Sequence, residues 1–391
     1  MDGLSRRSQL HADTNALTRA VLEHRARGLP TLNLAESNPT QVGLSWPHEE
    51  LAQALGAAGI SRYEPEPFGL LEARRALSAE LARTCGAVPA ERLMLTASTS
   101  EAYGFLFKLL CDAGDNVLVP SPSYPLFDVL AGLEGVRLVP YRLAYDGEWH
   151  IDLPALRASI DARTRAILLV HPNNPTGSYL KREELRALAS LGLPLISDEV
   201  FAPYALRDDV TRAPSALDVS ADVLVFRLDG LSKSAALPQL KLAWTAIAGP
   251  APLVEEACER LQHIADTCLS ANTPAQLALP RLLAFGATVR GQVRARIEHN
   301  LAALERACVG SPLSVLRTEG GWYAVLRLPA LRSDEEWAIS LLERDGVLTQ
   351  PGFFYDLEGT HLVLSLITQE EVFAEGIARL VRRVTREATS P

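Results

Sequence analysis

Lysine is scarce in this chain. Only four of its 38 lysine and arginine residues are lysines, at positions 108, 181, 233 and 241. A chain that uses arginine for almost every surface cation has a specific reason for each lysine, and a lysine amine, unlike a guanidinium, can lose its proton and attack a carbonyl. Lys233 and Lys241 share one short stretch, 229–244. We therefore expect this stretch to carry the chemistry.

Other scarcities exclude whole classes of protein. The five cysteines form no Cys-x-x-Cys pair, which favours reduced thiols in a cytoplasmic protein and gives no sign of a metal site. No apolar run approaches the roughly 18 residues of a membrane span, and residues 1–9 lack the apolar core of a signal peptide. A net charge of −9 argues against nucleic acid as a partner. We expect neither a nucleic-acid nor a membrane partner.

The chain, at 391 residues, is long enough for about two domains. From residue 92 onward, short apolar runs alternate with helical patterns, which predicts an α/β fold with a mostly parallel sheet between two layers of helices. Seven strands are predicted, at 93–96, 117–120, 136–141, 166–170, 195–198, 223–226 and 242–248.

The sequence after residue 250 predicts a second, smaller α+β domain. A long helical pattern bridges the two parts, paired strands are expected around Glu319-Gly320-Gly321, and capping boxes begin at Ser333 and Thr368. We divide the chain into an N-terminal segment, 1–44, that contributes to the small domain, a large domain at 45–287 and a small domain at 288–391.

Three predicted strands each end at or shortly before a polar residue that could bind the same ligand. The ends carry Asn174, Asp198 and Lys233, and open α/β sheets bind ligands at the carboxyl ends of their strands. Together an amide, a carboxylate and an amine suit an aldehyde cofactor with a pyridine ring. Lys233 would form the imine, Asp198 would keep the ring nitrogen protonated and Asn174 would donate to the ring oxygen.

These segments resemble the pyridoxal-phosphate-dependent class I/II aminotransferases of fold type I, the superfamily of aspartate aminotransferase. His171-Pro-Asn-Asn-Pro-Thr-Gly177, Ser197-Asp-Glu199 and Ser232-Lys233 occur in the order and spacing of that family. The resemblance implies pyridoxal 5'-phosphate as cofactor and a Schiff base on Lys233. It also implies transfer of an amino group from an amino acid or amine to a 2-oxo acid, by a homodimer with shared active sites.

The same resemblance implies further site residues. Thr99 and Ser100 would bind the cofactor phosphate, which agrees with the attraction of helix N-termini for anions, and Tyr63 would reach the phosphate in the partner subunit. Without the resemblance these would be a helix start and an ordinary loop residue. The expected catalytic residues are Lys233, Asp198 and Tyr124, which stacks on the ring; the expected cofactor-binding residues are Lys233, Asn174, Asp198, Tyr124, Thr99, Ser100, Ser232, Lys241, Tyr63 and Phe201; the expected substrate-binding residues are Asn38, Asn174, His361 and Ser365.

Three departures from the family pattern concern the cofactor. Lys241 stands where the family usually has a phosphate-binding arginine, and we interpret it as a retained phosphate ligand. Phe201 replaces a tyrosine whose hydroxyl stabilises the cofactor oxygen, and Tyr204 is a candidate substitute. Gly230 replaces a serine, so one phosphate donor is missing. We expect the lost hydroxyl at Phe201 to raise the pKa of the Schiff base.

A fourth departure concerns the substrate. Val363 occupies the position of the arginine that binds the substrate α-carboxylate in the family, and an apolar side chain cannot pair with a carboxylate. The α-carboxylate must then be held elsewhere, or the amino donor lacks one. His361 and Ser365 lie on the same face of the predicted strand as Val363, so we expect them to contact the substrate.

Two alternatives to an aminotransferase stay open. A lyase or decarboxylase could use the same cofactor on the same fold. A non-catalytic effector-binding module of a regulator would be expected to carry a basic DNA-binding segment before residue 40, and no such segment is present in the sequence.

Overall fold

The structure, a computed structural model, describes residues 5–8, 15–56 and 59–389. The first helix, predicted near residues 10–29, lies partly outside the described residues. Within them the strands are β1 (Leu32–Asn33), β2 (Leu93–Thr96), β3 (Asn116–Ser121), β4 (Arg137–Tyr145), β5 (Trp149–Ile151), β6 (Thr164–Val170), β7 (Leu195–Asp198), β8 (Val225–Gly230), β9 (Ala243–Ala248), β10 (Ser314–Val315), β11 (Tyr323–Arg327), β12 (Val347–Leu348), β13 (Gln350–Pro351) and β14 (His361–Ser365).

The helices cover both faces of the large sheet and complete the smaller unit. Short 3-10 turns, such as Gly352–Tyr355, lie between them. In the described ranges the α-helices are α1 (Ala16–Ala26), α2 (His48–Leu55), α3 (Leu71–Thr84), α4 (Thr99–Leu110), α5 (Leu126–Glu134), α6 (Leu153–Ala158), α7 (Arg182–Ala189), α8 (Leu231–Ser234), α9 (Ala251–Asp266), α10 (Thr273–Cys308), α11 (Asp334–Asp345) and α12 (Glu370–Thr389).

The large sheet has the strand order β2-β9-β8-β7-β6-β3-β4-β5. The pairs from β8 through β4 are parallel, whereas β9 is antiparallel to both of its neighbours. This confirms the predicted α/β fold with a mostly parallel sheet. An eighth strand, β5, joins the seven predicted ones because β4 continues beyond its apolar run and pairs with it antiparallel at the sheet edge.

Alternation along the central strands explains why the sheet is covered on both sides. Val225 packs in a core with α3, α7 and the first half of α10, whereas Phe226 packs in a core with α4 and α9. Successive side chains of a strand point to opposite faces, so a strand between two helical layers is apolar at nearly every position. The uninterrupted apolar runs of the sequence reflect this double burial.

The smaller unit is built on a sheet of order β10-β11-β14-β13. Its core also includes Leu17 and Leu34 from the N-terminal segment, and β1 pairs in parallel with β12. The predicted capping box at the start of α11 is present, with Ser333 and Glu336 in reciprocal hydrogen bonds. Helix α10 runs through the predicted boundary at 287/288, and the division into domains stays a prediction.

The two units meet at the turn that follows β6. The main-chain N–H groups of Glu319 and Gly320 donate to the carbonyl of Gly177 at 3.2 and 2.9 Å. Gly177 has φ +69°, and a Cβ there would lie 2.5 Å from the carbonyl oxygen of Gly320. Only glycine fits this approach. In the described residues, no helix is both long and apolar enough to cross a membrane.

Candidate active site

The three predicted strand ends meet at one edge of the large sheet. Strands β6, β7 and β8 are adjacent, with Val170 paired to Asp198 and Asp198 paired to Leu228. The turn carrying Asn174 follows β6, Asp198 ends β7, and the short helix with Lys233 follows β8. The parallel pairing therefore places the amide, the carboxylate and the amine at the same carboxyl edge.

The main chain around Lys233 is held from two directions. The Tyr204 hydroxyl donates to the carbonyl of Lys233 at 2.5 Å, and Nη1 of Arg290 donates to the carbonyl of Ser234 at 2.8 Å. Gly230 precedes the helix, and a Cβ at that position would lie 2.9 Å from the Cβ of Ala243. Tyr204 is thus engaged with the backbone, and the idea that it replaces the missing hydroxyl near Phe201 is not supported.

The Lys233 amine itself faces aromatic rings. Nζ lies 4.5 Å from the ring centroid of Trp322 and 5.4 Å from that of Phe201. It makes no hydrogen bond or ion pair with any of the described residues. Burial lowers the pKa of Lys233 to about 8, with the charge of Asp198 opposing that shift. The amine therefore loses its proton more readily than an exposed lysine does, which favours its use as a nucleophile.

Asp198 is a buried carboxylate with two donors. Oδ2 accepts from the Tyr103 hydroxyl at 2.9 Å, and Oδ1 accepts from the main-chain N–H of Val200 at 3.2 Å. Burial raises the pKa of Asp198 to about 6, and both hydrogen bonds counteract the rise. The group is thus mostly ionised at neutral pH. A buried anion of this kind fits a protonated pyridine nitrogen.

The neighbouring carboxylate faces the opposite way, as strand alternation predicts. Glu199 is fully buried and accepts from the Ser215 hydroxyl, the Ala216 N–H and the Arg227 guanidinium at 2.7 to 3.0 Å. These bonds leave Glu199 a structural role. His171 is structural as well, since its ring contacts the Ala213 carbonyl and the Leu180 N–H.

Unpaired buried polar atoms at the same edge fit a bound cofactor. Oδ1 of Asn174 and Oγ of Ser123, next to Tyr124, are buried without a hydrogen-bond partner, and such atoms are uncommon in folded proteins. Tyr124 is 43% exposed, and the pKa of its hydroxyl is raised by burial and by the charge of Asp198. The residues present thus suit pyridoxal phosphate, with a ring over Tyr124 and a polar edge toward Asn174.

This arrangement has close counterparts among known proteins. Residues 30–379 match the family model described as "Aminotransferase class I and II". The chain belongs to the class I and II aminotransferases. The resemblance inferred from the three motifs is therefore confirmed, as are the fold type and the enzyme class, and the lyase or decarboxylase alternative is not favoured.

Individual relatives carry related names. The glutamate-pyruvate aminotransferase AlaA of Escherichia coli K12 is 30% identical over 261 residues, which are 66% of this chain and 64% of that protein, just under two thirds. The alanine aminotransferase of Mycobacterium tuberculosis H37Rv is 28% identical over 378 residues, covering 92% and 88%. The structure of alanine aminotransferase from Pyrococcus furiosus superposes with a TM-score of 0.86 at 25% identity, covering 98% of this chain and 100% of that one.

The expected phosphate ligands lie at several places around this edge. Helix α4 begins at Thr99, and Ser98, not Thr99 or Ser100, caps it by accepting from the Glu101 N–H. Thr99 and Ser100 are partly exposed residues, and both stay predicted phosphate ligands. Ser232 is likewise partly exposed in α8.

Two further predicted phosphate ligands, Lys241 and Tyr63, are exposed to solvent. Lys241 is exposed and has a left-handed backbone with φ +51°. Tyr63 is 69% exposed, as expected of a side chain that would serve a partner subunit. Both assignments stay predictions.

The expected substrate residues do not form one cluster. Asn38 caps the turn Pro39–Gln41, its oxygen accepting from the Thr40 N–H and hydroxyl. Ser365 is buried opposite Tyr323, and its hydroxyl has no partner. His361 lies at the other end of β14, opposite Arg327. Val363, between them, is fully buried in the core of the smaller unit.

Two residues at this site were not predicted. Tyr103, one helical turn beyond Thr99, binds Asp198, and Trp322, directly after the paired glycines, lies over the Lys233 amine. Tyr103 lies on the buried face of α4, and the apolar spacing of that helix in the sequence is a usable signal for it. The Trp322 contact joins segments 89 positions apart in sequence, and no local pattern indicates it.

Proposed function

We propose that this chain binds pyridoxal 5'-phosphate through Lys233 and transfers an amino group from an amino acid or amine donor to a 2-oxo acid. The observation that carries the proposal is the juxtaposition of an unpaired lysine amine of lowered pKa with a buried, ionised Asp198 at one sheet edge. A protonated pyridine nitrogen and an aldehyde carbon are the groups that such a pair would receive.

The bound cofactor would supply an electron sink for charge that develops at the substrate carbon. Asp198, held by Tyr103, would keep the ring nitrogen of the cofactor protonated. Lys233 would provide the nucleophile and, once its amine is free, a base of lowered pKa for the proton on the substrate carbon. Phe201 and Trp322, whose rings lie beside the amine, would limit its contact with water, and Tyr124 would stack on the ring.

Two observations favour different amino donors. The relatives are named for alanine, glutamate and pyruvate, which makes these the first compounds to test. Val363 is apolar and buried, however, so the α-carboxylate of such a donor would have to be bound by other groups, for which Asn174 and Ser365 are candidates. We therefore include amines without a carboxylate among the proposed donors.

The proposed assembly is a homodimer with shared active sites in the cytoplasm. Tyr63 is 69% exposed, so its side chain is available for the contact with a partner subunit that the family resemblance implies. All five cysteines are free thiols, which supports a reducing compartment.

Borohydride trapping tests the proposal. The protein, reconstituted with pyridoxal phosphate and reduced, should carry the cofactor on Lys233 in a peptide digest, and Lys233→Arg should carry none. Lys108→Arg is the matched control and should be labelled like the parent. Mixing the unreduced protein with alanine should convert the cofactor to its aminated form with release of pyruvate. Label on another lysine, or a protein that stays colourless, would overturn the proposal.

A further inference from the structure

Tyr204 contacts both the residue that carries the proposed nucleophile and the residue that covers it. Its side chain is buried, and it lies in the turn that follows β7. The hydroxyl donates to the main-chain carbonyl of Lys233 at 2.5 Å. The ring meets the ring of Trp322 edge-on, with 5.4 Å between their centroids, and the Trp322 ring lies 4.5 Å from the Lys233 amine. One side chain therefore links the amine to its aromatic cover.

The main chain of Tyr204 is tied to the same surroundings. Its N–H donates to the carbonyl of Phe201 at 3.0 Å, and its carbonyl accepts from the N–H of Gly321 at 3.1 Å. Gly321 directly precedes Trp322 in the sequence. The two rings that face the Lys233 amine, those of Phe201 and Trp322, thus belong to segments that Tyr204 holds together.

The hydroxyl of Tyr204 is an important hold on Lys233 because the helix that carries this lysine is very short. Helix α8 spans only Leu231–Ser234, and carbonyls in the last turn of a helix lack partners inside the helix. Along the chain the carbonyl of Lys233 accepts from the N–H of Ala236 at 3.4 Å, which is a long and weak bond. The bond from Tyr204 at 2.5 Å is the firmer one.

We propose that Tyr204 is a positioning residue for Lys233. Its hydroxyl fixes the main chain that carries the amine, and its ring fixes Trp322, so that the amine and its cover keep one relative arrangement. The hydroxyl acts through Lys233 and not on the cofactor, which is a different role from replacing the hydroxyl that is missing at Phe201. This inference rests on the proposed function, since it concerns how the Lys233 amine is presented to the cofactor aldehyde.

Two forms of the cofactor differ in whether they need that presentation. With pyridoxal phosphate, the Lys233 nitrogen bonds to the aldehyde carbon and the aldehyde oxygen leaves as water. Such a reaction depends strongly on how the two atoms are placed. Pyridoxamine phosphate has an amine in place of the aldehyde, so it forms no bond to Lys233. Comparing the two ligands therefore separates the presentation of Lys233 from all other contacts of the site.

Binding of both ligands to the cofactor-free variant Tyr204→Phe tests the proposal. Phenylalanine keeps a ring against Trp322 and removes only the hydroxyl. We expect the dissociation constant of pyridoxal phosphate, measured by fluorescence quenching, to rise by roughly three- to tenfold, and that of pyridoxamine phosphate to change by less than about twofold. Tyr141→Phe is the matched control, because it also removes a buried hydroxyl that donates to a main-chain carbonyl, that of Leu168. Both constants should keep their parent values in the control.

The outcomes separate a failure of this inference from a failure of the proposed function. If Tyr204→Phe weakens both ligands equally, or weakens neither, Tyr204 does not position Lys233 and the inference is wrong. If the parent protein binds pyridoxal phosphate no more tightly than pyridoxamine phosphate and borohydride leaves Lys233 unlabelled, the proposed function is wrong, and the inference falls with it.

Discussion

The phenolic oxygen of Tyr103 lies 2.9 Å from Oδ2 of Asp198. This bond joins the first turns of α4 to the end of β7, so the helix that begins with the predicted phosphate ligands also holds the predicted partner of the pyridine nitrogen. The hydroxyl stabilises the ionised form of Asp198 against the effect of burial. The ionisation state of this carboxylate would set the pH range in which the proposed cofactor binds.

Cofactor affinity of the parent protein should fall as the pH decreases through about 6. Burial raises the pKa of Asp198 to about 6, and only the ionised carboxylate, present above that pH, attracts a protonated ring nitrogen. Binding of pyridoxal phosphate to the cofactor-free protein, followed by fluorescence quenching from pH 5 to 8, measures the midpoint. A constant affinity over this range would contradict the role given to Asp198.

The variant Tyr103→Phe should move that midpoint upward by about one to two pH units. Loss of a hydrogen bond to a charged group costs about 1.5–3 kcal/mol, and each pKa unit corresponds to about 1.4 kcal/mol. Tyr141→Phe is the matched control, because the Tyr141 hydroxyl donates to the Leu168 carbonyl and not to a carboxylate. The control should keep the parent midpoint. Equal midpoints in both variants would show that Tyr103 is merely structural.

Phe201→Tyr should lower the pKa of the Schiff base by about one to two units, because a hydroxyl on this ring could donate a charge-assisted hydrogen bond to the cofactor oxygen. The Phe201 ring lies 5.4 Å from the Lys233 amine, close enough for a substituent to act there. Titration of the visible absorbance of the bound cofactor measures the pKa. Phe353→Tyr, at an exposed phenylalanine, provides the control, and an unchanged or higher value in Phe201→Tyr would refute the interpretation.

Lys241→Gly should separate stability from cofactor affinity. The left-handed backbone of Lys241, with φ +51°, costs a non-glycine residue roughly 1 kcal/mol, so glycine should raise the melting temperature of the cofactor-free protein. The same change removes a cation from the predicted phosphate site. An exposed ion pair contributes about 0.2–1 kcal/mol, which corresponds to a binding of pyridoxal phosphate that is weaker by up to about fivefold. Lys241→Arg should keep the affinity without the gain in stability; unchanged affinity in Lys241→Gly would remove Lys241 from the site.

The strands that carry the site residues could be predicted from the sequence, because the patterns that indicate a strand and its end lie within a few neighbouring residues. Strands β2 and β7 were predicted with the bounds that the structure has, and Asp198 follows from where β7 ends. Strand β8 was predicted at 223–226 but runs from Val225 to Gly230, so that it ends three residues before Lys233. Apolar runs and polar strand ends are properties of neighbouring residues. The adjacency of β6, β7 and β8 then placed Asn174, Asp198 and Lys233 together.

Contacts across long stretches of sequence escaped prediction. Trp322 reaches Lys233 from the smaller unit, and Tyr204 turned to the Lys233 carbonyl instead of toward Phe201. Strand β1 pairs with β12, and this pairing joins Leu32 to Val347, far apart in sequence. Such long-range contacts depend on how separate helices and strands pack together. The spacing of apolar residues along the sequence does not indicate this packing.

The double hydrogen bond at Gly177 ties the amide-bearing turn to the glycine pair ahead of Trp322. Since its donors and its acceptor are all main-chain groups, a shift of the smaller unit would carry Asn174 and Trp322 along together, whatever side chains surround them. A single movement would then set both the position of the Asn174 amide and the cover of Trp322 over the Lys233 amine.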